Sequence, residues 1–202
     1  MVPPQPRADS TRQLLLDVTA KILASEGYAA LSEEYLCQQS GLSRGALRYH
    51  FPAGRYDLLP AFAENVVAGQ AARLAPLGPL PARERLYLVL MSMRDKPPSA
   101  STVALLELWM AARGDRRLLQ SLEPIMDRAL GQMLGSDGDD GSDAEVLALR
   151  IVVHGASLYA FSAGFSPERL NAAIIWLLSK LPPPQSLQDR LAALNALRAA
   201  NH

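Results

Sequence analysis

Two short stretches of helical character, residues 32–40 and 43–51, are separated by little more than the turn Gly41-Leu42-Ser43. Ser32 is placed to cap the first helix and Ser43 to cap the second, because a serine oxygen accepts a hydrogen bond from a backbone N–H of the first turn. Glycine at residue 41 allows the left-handed backbone that ends a helix within a tight turn. The segment therefore predicts two short helices joined by a sharp corner, a helix-turn-helix.

The rest of the chain also has a helical pattern. Apolar residues recur mostly at helical spacing and form no convincing series of alternating strands, which predicts an all-α fold. A first helix is expected to stop at Gly27 and a longer one to run from Arg55 to about Leu74, after which breaks rich in proline and glycine delimit about six further segments. We expect two domains, an N-terminal unit of three helices at residues 1–56 and a C-terminal helical bundle at residues 57–202.

Composition excludes several classes of protein. Cys37 is the only cysteine of the 202 residues, so no intrachain disulfide can form, and the lack of a cysteine framework favours a reducing, cytoplasmic location. The first residues, MVPPQPRADSTR, contain prolines and charges where a secretory signal needs an apolar run. No later stretch reaches the uninterrupted apolar length of a membrane span, so we expect no membrane association.

Charge points to one small region of the chain. Lysine plus arginine equals aspartate plus glutamate at 20 each, so the net charge gives no argument for a nucleic-acid partner. Between Tyr35 and Tyr56, however, no acidic residue occurs, whereas Arg44, Arg48 and Arg55 all lie there. The second helix of the predicted helix-turn-helix therefore lies in a small positive patch.

The second helix of a helix-turn-helix lies in the major groove of DNA, so it needs exposed polar side chains near its N-terminus. Four residues are spaced to form the interior of the two-helix unit: Leu36, Cys37, Leu42 and Leu47. Arg44 or Arg48 is expected to read guanine edges, while neighbouring polar groups fix the register on phosphates. The candidate DNA-contacting residues in this segment are Ser32, Ser43, Arg44, Gly45, Ala46, Arg48, Tyr49 and His50.

The string LCQQSGLSRGALRYHFPAGRYDLL resembles the signature of the TetR family of transcriptional regulators, with its glycine turn, serine cap, basic-glycine step and aromatic cluster ending in phenylalanine. Upstream, ILASEGYAALS resembles the end of the family's first helix, so the similarity covers roughly residues 12–62. The resemblance adds Arg55 to the DNA-contacting candidates, because some members place a phosphate-binding lysine there. Arg48 stands where the family usually has an aromatic residue, which suggests an altered base preference.

The resemblance implies an N-terminal DNA-binding domain and a C-terminal domain for effector binding and dimerisation. Residues 144–163 and 167–181 are apolar on more than one face, as expected of helices that are covered on several sides. We expect them to form a four-helix interface with the same pair from a second chain. The candidate interface residues are Val153, Leu158, Phe161, Ile174, Trp176 and Leu178.

Helices of the second domain surround an effector cavity in the TetR family, and aromatic, methionine and histidine side chains on those segments become candidates here. They are Tyr87, Met91, Trp109, Met110, Met126 and His154. Rings and thioethers at helical spacing are also typical of an ordinary core, and His154 on its apolar helix fits a satisfied core histidine as well.

Taken together, these features favour a cytoplasmic, homodimeric regulator. We expect it to bind a palindromic double-stranded DNA operator, to repress transcription, and to be released by a small-molecule effector of unknown identity. No paired carboxylates or metal-ligand clusters appear, so we expect no catalytic residue, no metal and no cofactor; the acidic run from Asp137 to Glu145 lacks the glycine and closing glutamate of a calcium loop. Two alternatives stay open: a helical enzyme with a DNA-binding-like corner, and an interaction protein whose helix-turn-helix contacts another protein.

Overall fold

The structure is a computed structural model that describes residues 6–78, 80–95, 99–134, 143–159 and 162–200, and within these ranges it contains ten α-helices, two short 3-10 turns and no strand. The helices are α1 (Pro6–Glu26), α2 (Glu33–Ser40), α3 (Arg44–His50), α4 (Arg55–Leu74), α5 (Ala82–Asp95), α6 (Ala100–Ala112), α7 (Arg116–Leu134), α8 (Ala144–Tyr159), α9 (Pro167–Lys180) and α10 (Gln185–Ala200). The predicted all-α fold is confirmed. None of the helices in the described ranges combines the length and apolarity that crossing a membrane requires.

The helices pack as two compact units. The first comprises Met1–Ala68 and Ser99–Asp127, which contain α1, α2, α3, α6 and most of α4 and α7. The second comprises Gly69–Pro98 and Arg128–His202, which contain α5, α8, α9 and α10. Packing thus groups α4 as far as Ala68 with the N-terminal helices. The expected functional boundary between residues 56 and 57 stays a prediction.

The core of the first unit is built on α1, which packs against α2 and α6. Leu15, Leu16 and Leu23 recur at the spacing of one helix face and are almost completely buried. Thr19 is buried among them, and its hydroxyl donates to the Leu15 carbonyl at 2.8 Å, which satisfies the buried polar group. Because each buried leucine contributes about 1.5–3 kcal/mol, α1 forms a stable platform for α2.

Two serine caps and a left-handed glycine define the corner between α2 and α3, as predicted. The side-chain oxygens of Ser32 and Ser43 each accept a hydrogen bond at 3.1 Å from the backbone N–H three residues ahead. Gly41 ends α2 with φ 69° and ψ 17°, a conformation that costs glycine nothing sterically. Leu36 and Leu47 are both buried, so the two short helices are anchored through their apolar faces.

The core of the second unit forms where α5 packs against α8 and α9. The larger buried cluster contains Leu86, Tyr87, Leu90, Val146, Leu149, Val153 and Leu187, and the smaller contains Met93, Leu170 and Ile174. Glu84 on α5 is also buried, accepts a hydrogen bond from the Ser186 hydroxyl at 2.6 Å, and lies 3.8 Å from Arg190. This polar contact ties α10 to α5.

Candidate nucleic-acid interface

One face of α3 is open to solvent. Arg44, Gly45, Arg48 and Tyr49 on this face are exposed, and Tyr49 shows 77% of its surface. The opposite face carries Leu47, which is completely buried. Because the exposed positions are spaced one, three and four residues apart, they form a continuous strip along the helix. A short exposed helix with polar side chains and a glycine near its start has the form that enters a DNA major groove.

The other candidates of this segment lie around the strip. Ser32 and Ser43 are exposed, and their hydroxyls already act as helix caps. Ala46 and His50 are half-buried, and the His50 ring meets the Tyr49 ring edge-on with 5.0 Å between centroids. Contact of any of these residues with DNA stays a prediction.

Arg48 is engaged within the protein. Its Nε and Nη2 donate to the Glu33 carboxylate at distances of 2.8–3.2 Å, and its Nη1 donates to the Pro52 carbonyl at 2.7 Å. All three guanidinium nitrogens therefore have partners on α2 or in the turn after α3.

Arg44 has a much looser partner. Its Nη2 donates one hydrogen bond to Glu34 at 3.1 Å, and the two side chains are 66% and 81% exposed. An exposed ion pair of this kind contributes about 0–1 kcal/mol, so a DNA base or phosphate can replace the carboxylate at little cost. Arg44 is thus the arginine of α3 that is more readily available to a nucleic acid.

The positive patch predicted from the sequence is therefore partly neutralised. The acid-free window begins at Tyr35, and the fold brings Glu33 and Glu34, just outside the window, against Arg48 and Arg44. Neither glutamate was a candidate from the sequence. Their position in the first turn of α2 is itself favourable for acidic side chains, and it is indistinguishable from ordinary helix-start chemistry.

Arg55, at the start of α4, lies in a cluster of aromatic and acidic side chains. Its guanidinium lies over the rings of Tyr56 and Tyr28, with 4.9 and 5.7 Å to the centroids. Its Nη2 donates to the Tyr56 hydroxyl at 2.9 Å and lies 3.5 Å from Asp115 Oδ2. The structure thus gives Arg55 partners on three segments of the first unit, and its expected contact with phosphate stays a prediction.

Asp115 is the acceptor at the centre of this cluster. It accepts hydrogen bonds from the hydroxyls of Tyr28 and Tyr56 at 3.0 and 3.2 Å, and from the Leu118 N–H at 3.0 Å, where it caps α7. The Leu118 N–H, the two hydroxyls and Arg55 lower the pKa of the Asp115 carboxyl below its ordinary value. Burial and the hydrogen bond to Asp115 raise the pKa of Tyr28 to about 12. The cluster therefore holds a charged carboxylate against a neutral phenol at physiological pH.

The end of α1 is tied to α6 by a second contact. Gly27 has φ 80°, and the next backbone N–H, that of Tyr28, donates to Glu107 Oε1 at 2.8 Å. A Cβ at residue 27 would lie 3.1 Å from the same oxygen, so a glycine suits this position for both its conformation and its size. Glu107, like Asp115, was not a candidate from the sequence.

The six effector candidates are divided between the two units. Trp109, Met110 and Met126 belong to the first unit, and Tyr87, Met91 and His154 belong to the second. Tyr87 is buried in the core, with its hydroxyl donating to Glu145 Oε1 at 3.2 Å, whereas Met110 is exposed. Burial and Arg150 lower the pKa of His154, which keeps the imidazole neutral near pH 7. An effector role for these residues stays a prediction.

The dimer candidates fall into three groups. Val153 and Ile174 belong to the buried clusters of the second unit, and Leu178 packs against both clusters. Leu158 and Trp176 are exposed. Phe161 lies outside the described residues. The same two helices expose further apolar residues, Leu147 and Ile151 on α8 and Ile175 on α9.

The single cysteine, Cys37, is not a reactive group. Burial raises the pKa of the Cys37 thiol, so the thiol is protonated at neutral pH and is a poor nucleophile. In the described part of the chain, no group of three or more histidine, cysteine, aspartate or glutamate side chains is arranged to hold a metal ion. Residues 137–142 of the acidic run lie outside that part.

Comparison with known proteins agrees with this architecture. An uncharacterised HTH-type transcriptional regulator of Mycobacterium tuberculosis is 26% identical over 209 aligned residues, which cover 97% of this chain and 96% of the relative. No protein-family model matches the chain.

Solved structures show the same fold. A protein from Rhodococcus sp., assigned to the TetR family of transcriptional regulators, matches with a TM-score of 0.63 at 19% identity, over 84% of this chain and 97% of that one. A protein from Saccharomonospora viridis, assigned as a transcriptional regulator and solved in complex with choline, matches with a TM-score of 0.60 at 18% identity, over 85% of this chain and 96% of that one. The chain therefore has the fold of the TetR-family transcriptional regulators, which confirms the resemblance seen in its helix-turn-helix residues.

Proposed function

We propose that this chain is a transcriptional regulator that binds double-stranded DNA through α3 and represses transcription from the site it occupies. The exposed strip on α3 carries the proposal: Leu47 anchors the helix while Arg44, Gly45 and Tyr49 face solvent. An arginine can donate two hydrogen bonds to guanine O6 and N7, and a tyrosine hydroxyl can donate to phosphate. One short helix thus offers both a side chain that can recognise a base and a side chain that can fix the position of the helix on the DNA backbone.

We include a homodimer in this function, because one short helix makes too few contacts for tight binding. On α8, Leu147, Ile151 and Leu158 are exposed at spacings of four and seven residues, which is one face of a helix. On α9, Ile175 and Trp176 are exposed as well. We infer that these faces pair with their counterparts in a second copy, forming a four-helix interface. Two copies related by a twofold axis would then read a palindromic operator.

We further propose that a small molecule releases the dimer from DNA. The Saccharomonospora viridis protein of the same fold was solved with choline, which supports a ligand-responsive role here. The mechanism is a population shift: a ligand that binds better to the form with wrongly spaced α3 helices lowers DNA affinity by its differential affinity for that form. The side chains of Trp109, Met110, Met126, Tyr87, Met91 and His154 remain the candidates that would contact it.

We assign no catalytic reaction to the chain, because a relative that matches over almost its whole length is named as a regulator. A protein that controls transcription must share a compartment with the chromosome, so a cytoplasmic location is part of the same proposal. The single thiol, Cys37, agrees with that setting.

Selection of bound duplexes from a pool of random DNA, using the full chain, tests this function. We expect an enriched motif with twofold symmetry whose half-sites lie about one helical turn, or a multiple of it, apart. Arg44→Ala should abolish the preference at one base pair of each half-site, whereas Arg113→Ala, at an exposed position just after α6, should leave the motif unchanged.

Two results would count against the function. If the selection enriches no motif, the proposal that the chain binds DNA in a sequence-specific way is wrong. Binding that depends little on salt would point instead to an interaction protein, because neutralising phosphates must release counterions and so weaken binding as salt rises.

A further inference from the structure

Arg48 lies on the exposed face of α3 beside Arg44, and the sequence alone treats the two arginines as equal candidates for reading a base. Their surroundings in the folded chain differ. Arg44 makes a single hydrogen bond to Glu34, whereas Arg48 uses Nε, Nη1 and Nη2 in hydrogen bonds to Glu33 and to the Pro52 carbonyl. The edge formed by Nε and Nη2, which would match the two acceptors of guanine, is therefore occupied by a carboxylate.

Gly54 makes room for this ion pair. It has φ 64°, and a Cβ at this position would overlap the Glu33 carboxylate and lie 3.2 Å from Arg48 Cζ. The turn around it is held by the Gly54 N–H, which donates to the Phe51 carbonyl at 2.8 Å, and by the Ala53 N–H, which donates to Asp57 at 2.6 Å. The pair thus rests on a turn with its own hydrogen bonds.

The contacts of Arg48 connect three parts of the helix-turn-helix. Glu33 is the first residue of α2, Arg48 lies in the second half of α3, and Pro52 belongs to the turn that leads into α4. A bidentate contact between a guanidinium and a carboxylate is directional as well as charged, so it fixes the rotation of α3 relative to α2. Glu33 is only 29% exposed, so moving Arg48 to DNA would leave a half-buried carboxylate without its partner beside a polyanion.

We infer that Arg48 is a positioning residue for DNA reading, held by Glu33, and that Arg44 is the arginine of α3 that reads a base. The inference rests on the proposed function, because it assigns roles within the same DNA-binding helix. It predicts that changes at Arg48 and Glu33 weaken binding to every duplex by a common factor, because both changes disturb the placement of α3. Changes at Arg44 instead lower the discrimination between duplexes.

The test compares Glu33→Gln, Arg48→Lys, the double variant of these two, Arg48→Met and Arg44→Ala in the full chain. Affinity is measured for the preferred duplex and for duplexes that change one base pair of the half-site at a time. Lysine keeps the charge of Arg48 but cannot bind a carboxylate with two nitrogens. We expect Glu33→Gln and Arg48→Lys each to lower all affinities several-fold with unchanged ratios, and the double variant to be no weaker than the weaker single variant. Arg44→Ala should reduce one ratio by roughly tenfold or more.

Three results would overturn the inference. The first is an Arg48→Lys variant that loses preference at one base pair while Glu33→Gln binds like the parent, because Arg48 would then read that base. The second is tighter binding by Glu33→Gln, because Glu33 would then only compete with DNA. The third concerns the slope of log affinity against log salt concentration. If this slope becomes smaller by about one in Arg48→Met but is unchanged in Glu33→Gln, Arg48 contacts a phosphate of the DNA backbone.

Far-ultraviolet circular dichroism and thermal unfolding of each variant establish that it is folded before its affinity is interpreted. If the parent chain has no preferred duplex, the proposed function and the inference fail together. If the parent has one and the variants follow any of the three contrary patterns, only the role of Arg48 is wrong.

Discussion

The hydroxyl of Tyr28, just beyond the end of α1, donates to Asp115, just before α7, with 3.0 Å between the two oxygens. The same carboxylate accepts from Tyr56 and lies beside Arg55, at the start of α4. Elements that are far apart in the chain thus share one acidic side chain inside the first unit. This acceptor fixes the start of α4 against the start of α7, next to the segment that leaves α3.

Replacing Asp115 with asparagine tests how much this cluster of contacts contributes to the free energy of unfolding. The amide keeps an oxygen that can cap α7 but removes the charge that the two hydroxyls and Arg55 meet. We expect the free energy of unfolding at pH 7 to fall by about 1–3 kcal/mol, because hydrogen bonds to charged groups are stronger than neutral ones. Urea denaturation followed by circular dichroism measures it. Asp189→Asn, at an exposed position on α10, is the matched control and should change stability by less than about 0.5 kcal/mol.

The contribution of Asp115 should also depend on pH. Its pKa is lower in the folded chain than in the unfolded one, so the carboxylate stabilises the fold fully above the unfolded value, near 4. This stabilisation is lost as the pH falls through the folded pKa. The difference in stability between the parent and Asp115→Asn should therefore be constant near neutral pH and shrink in acid. A difference that persists unchanged below pH 3 would contradict the assigned ionisation.

Tyr28 should resist ionisation well above the ordinary pKa of tyrosine. Its pKa of about 12 means that the fold favours the neutral phenol, so this stabilisation is complete below the unfolded value, near 10, and is lost as the pH rises toward 12. The difference between the tyrosinate absorbance titrations of the parent and Tyr28→Phe isolates this group. The transition that the parent shows and Tyr28→Phe lacks should have its midpoint near pH 12, at a pH where circular dichroism still reports a folded chain. A missing transition near 10 would mean that the hydroxyl is not held by Asp115.

The exposed apolar face of α8 predicts an oligomerisation defect. Ile151→Glu places a charge where we propose that a second copy packs, at a cost of about 3 kcal/mol or more, or roughly a hundredfold in the dimer dissociation constant. Sedimentation equilibrium measures the mass. Leu119→Glu is the control, because Leu119 is an exposed leucine of the first unit. If Ile151→Glu keeps the same dimer mass as the Leu119→Glu control, α8 does not form the interface.

Gly54 and Gly69 make a matched pair for backbone conformation. Gly54→Ala forces alanine into a left-handed conformation and pushes its methyl group into Glu33, which we expect to cost about 1–3 kcal/mol or more. Gly69 lies within α4 with nothing near its missing Cβ, so Gly69→Ala should stabilise the chain by about 0.4–1 kcal/mol. Thermal unfolding of both variants checks the opposite signs. A Gly54→Ala variant as stable as the parent would mean that the turn rearranges without strain.

Local chemistry made much of this fold predictable from the sequence. Ser32 and Ser43 cap helices through hydrogen bonds that reach three residues, and Gly41 ends α2 through its own backbone. Such interactions involve residues that are close together in the sequence, so a sequence pattern can predict them. The bounds of α2, α3 and α4 agree closely with the sequence prediction for the same reason.

The contacts that distinguish the candidate site were not predictable in this way. Glu33 and Arg48 are fifteen residues apart, and Tyr28 and Asp115 are 87 apart, so their meeting depends on how whole helices pack. An acid-free stretch of sequence therefore does not ensure an acid-free surface. Arg48 and Arg55 were expected to be alike in facing DNA, and the fold gives each a different set of partners within the protein.

The dimer candidates show another limit of sequence patterns. A helix that is apolar on all sides does not reveal which side meets its own core, and each residue turns the helix by about 100°. Val153 and Ile174 are buried within the second unit, whereas Ile151 and Ile175, one or two positions away, are exposed. Only the packed structure separates these two roles.

Under the proposed function, the exposed contact between Arg44 and Glu34 affects how the protein searches a chromosome for its operator. Any stretch of duplex offers phosphates, and exchanging one anionic oxygen for another yields little binding energy. A guanine at the right step offers two acceptors at once and repays the loss of the glutamate. Because the pair with Glu34 contributes at most about 1 kcal/mol, it would lower the affinity for random duplex by no more than about fivefold, but at sites that outnumber operators in a genome by about a million or more.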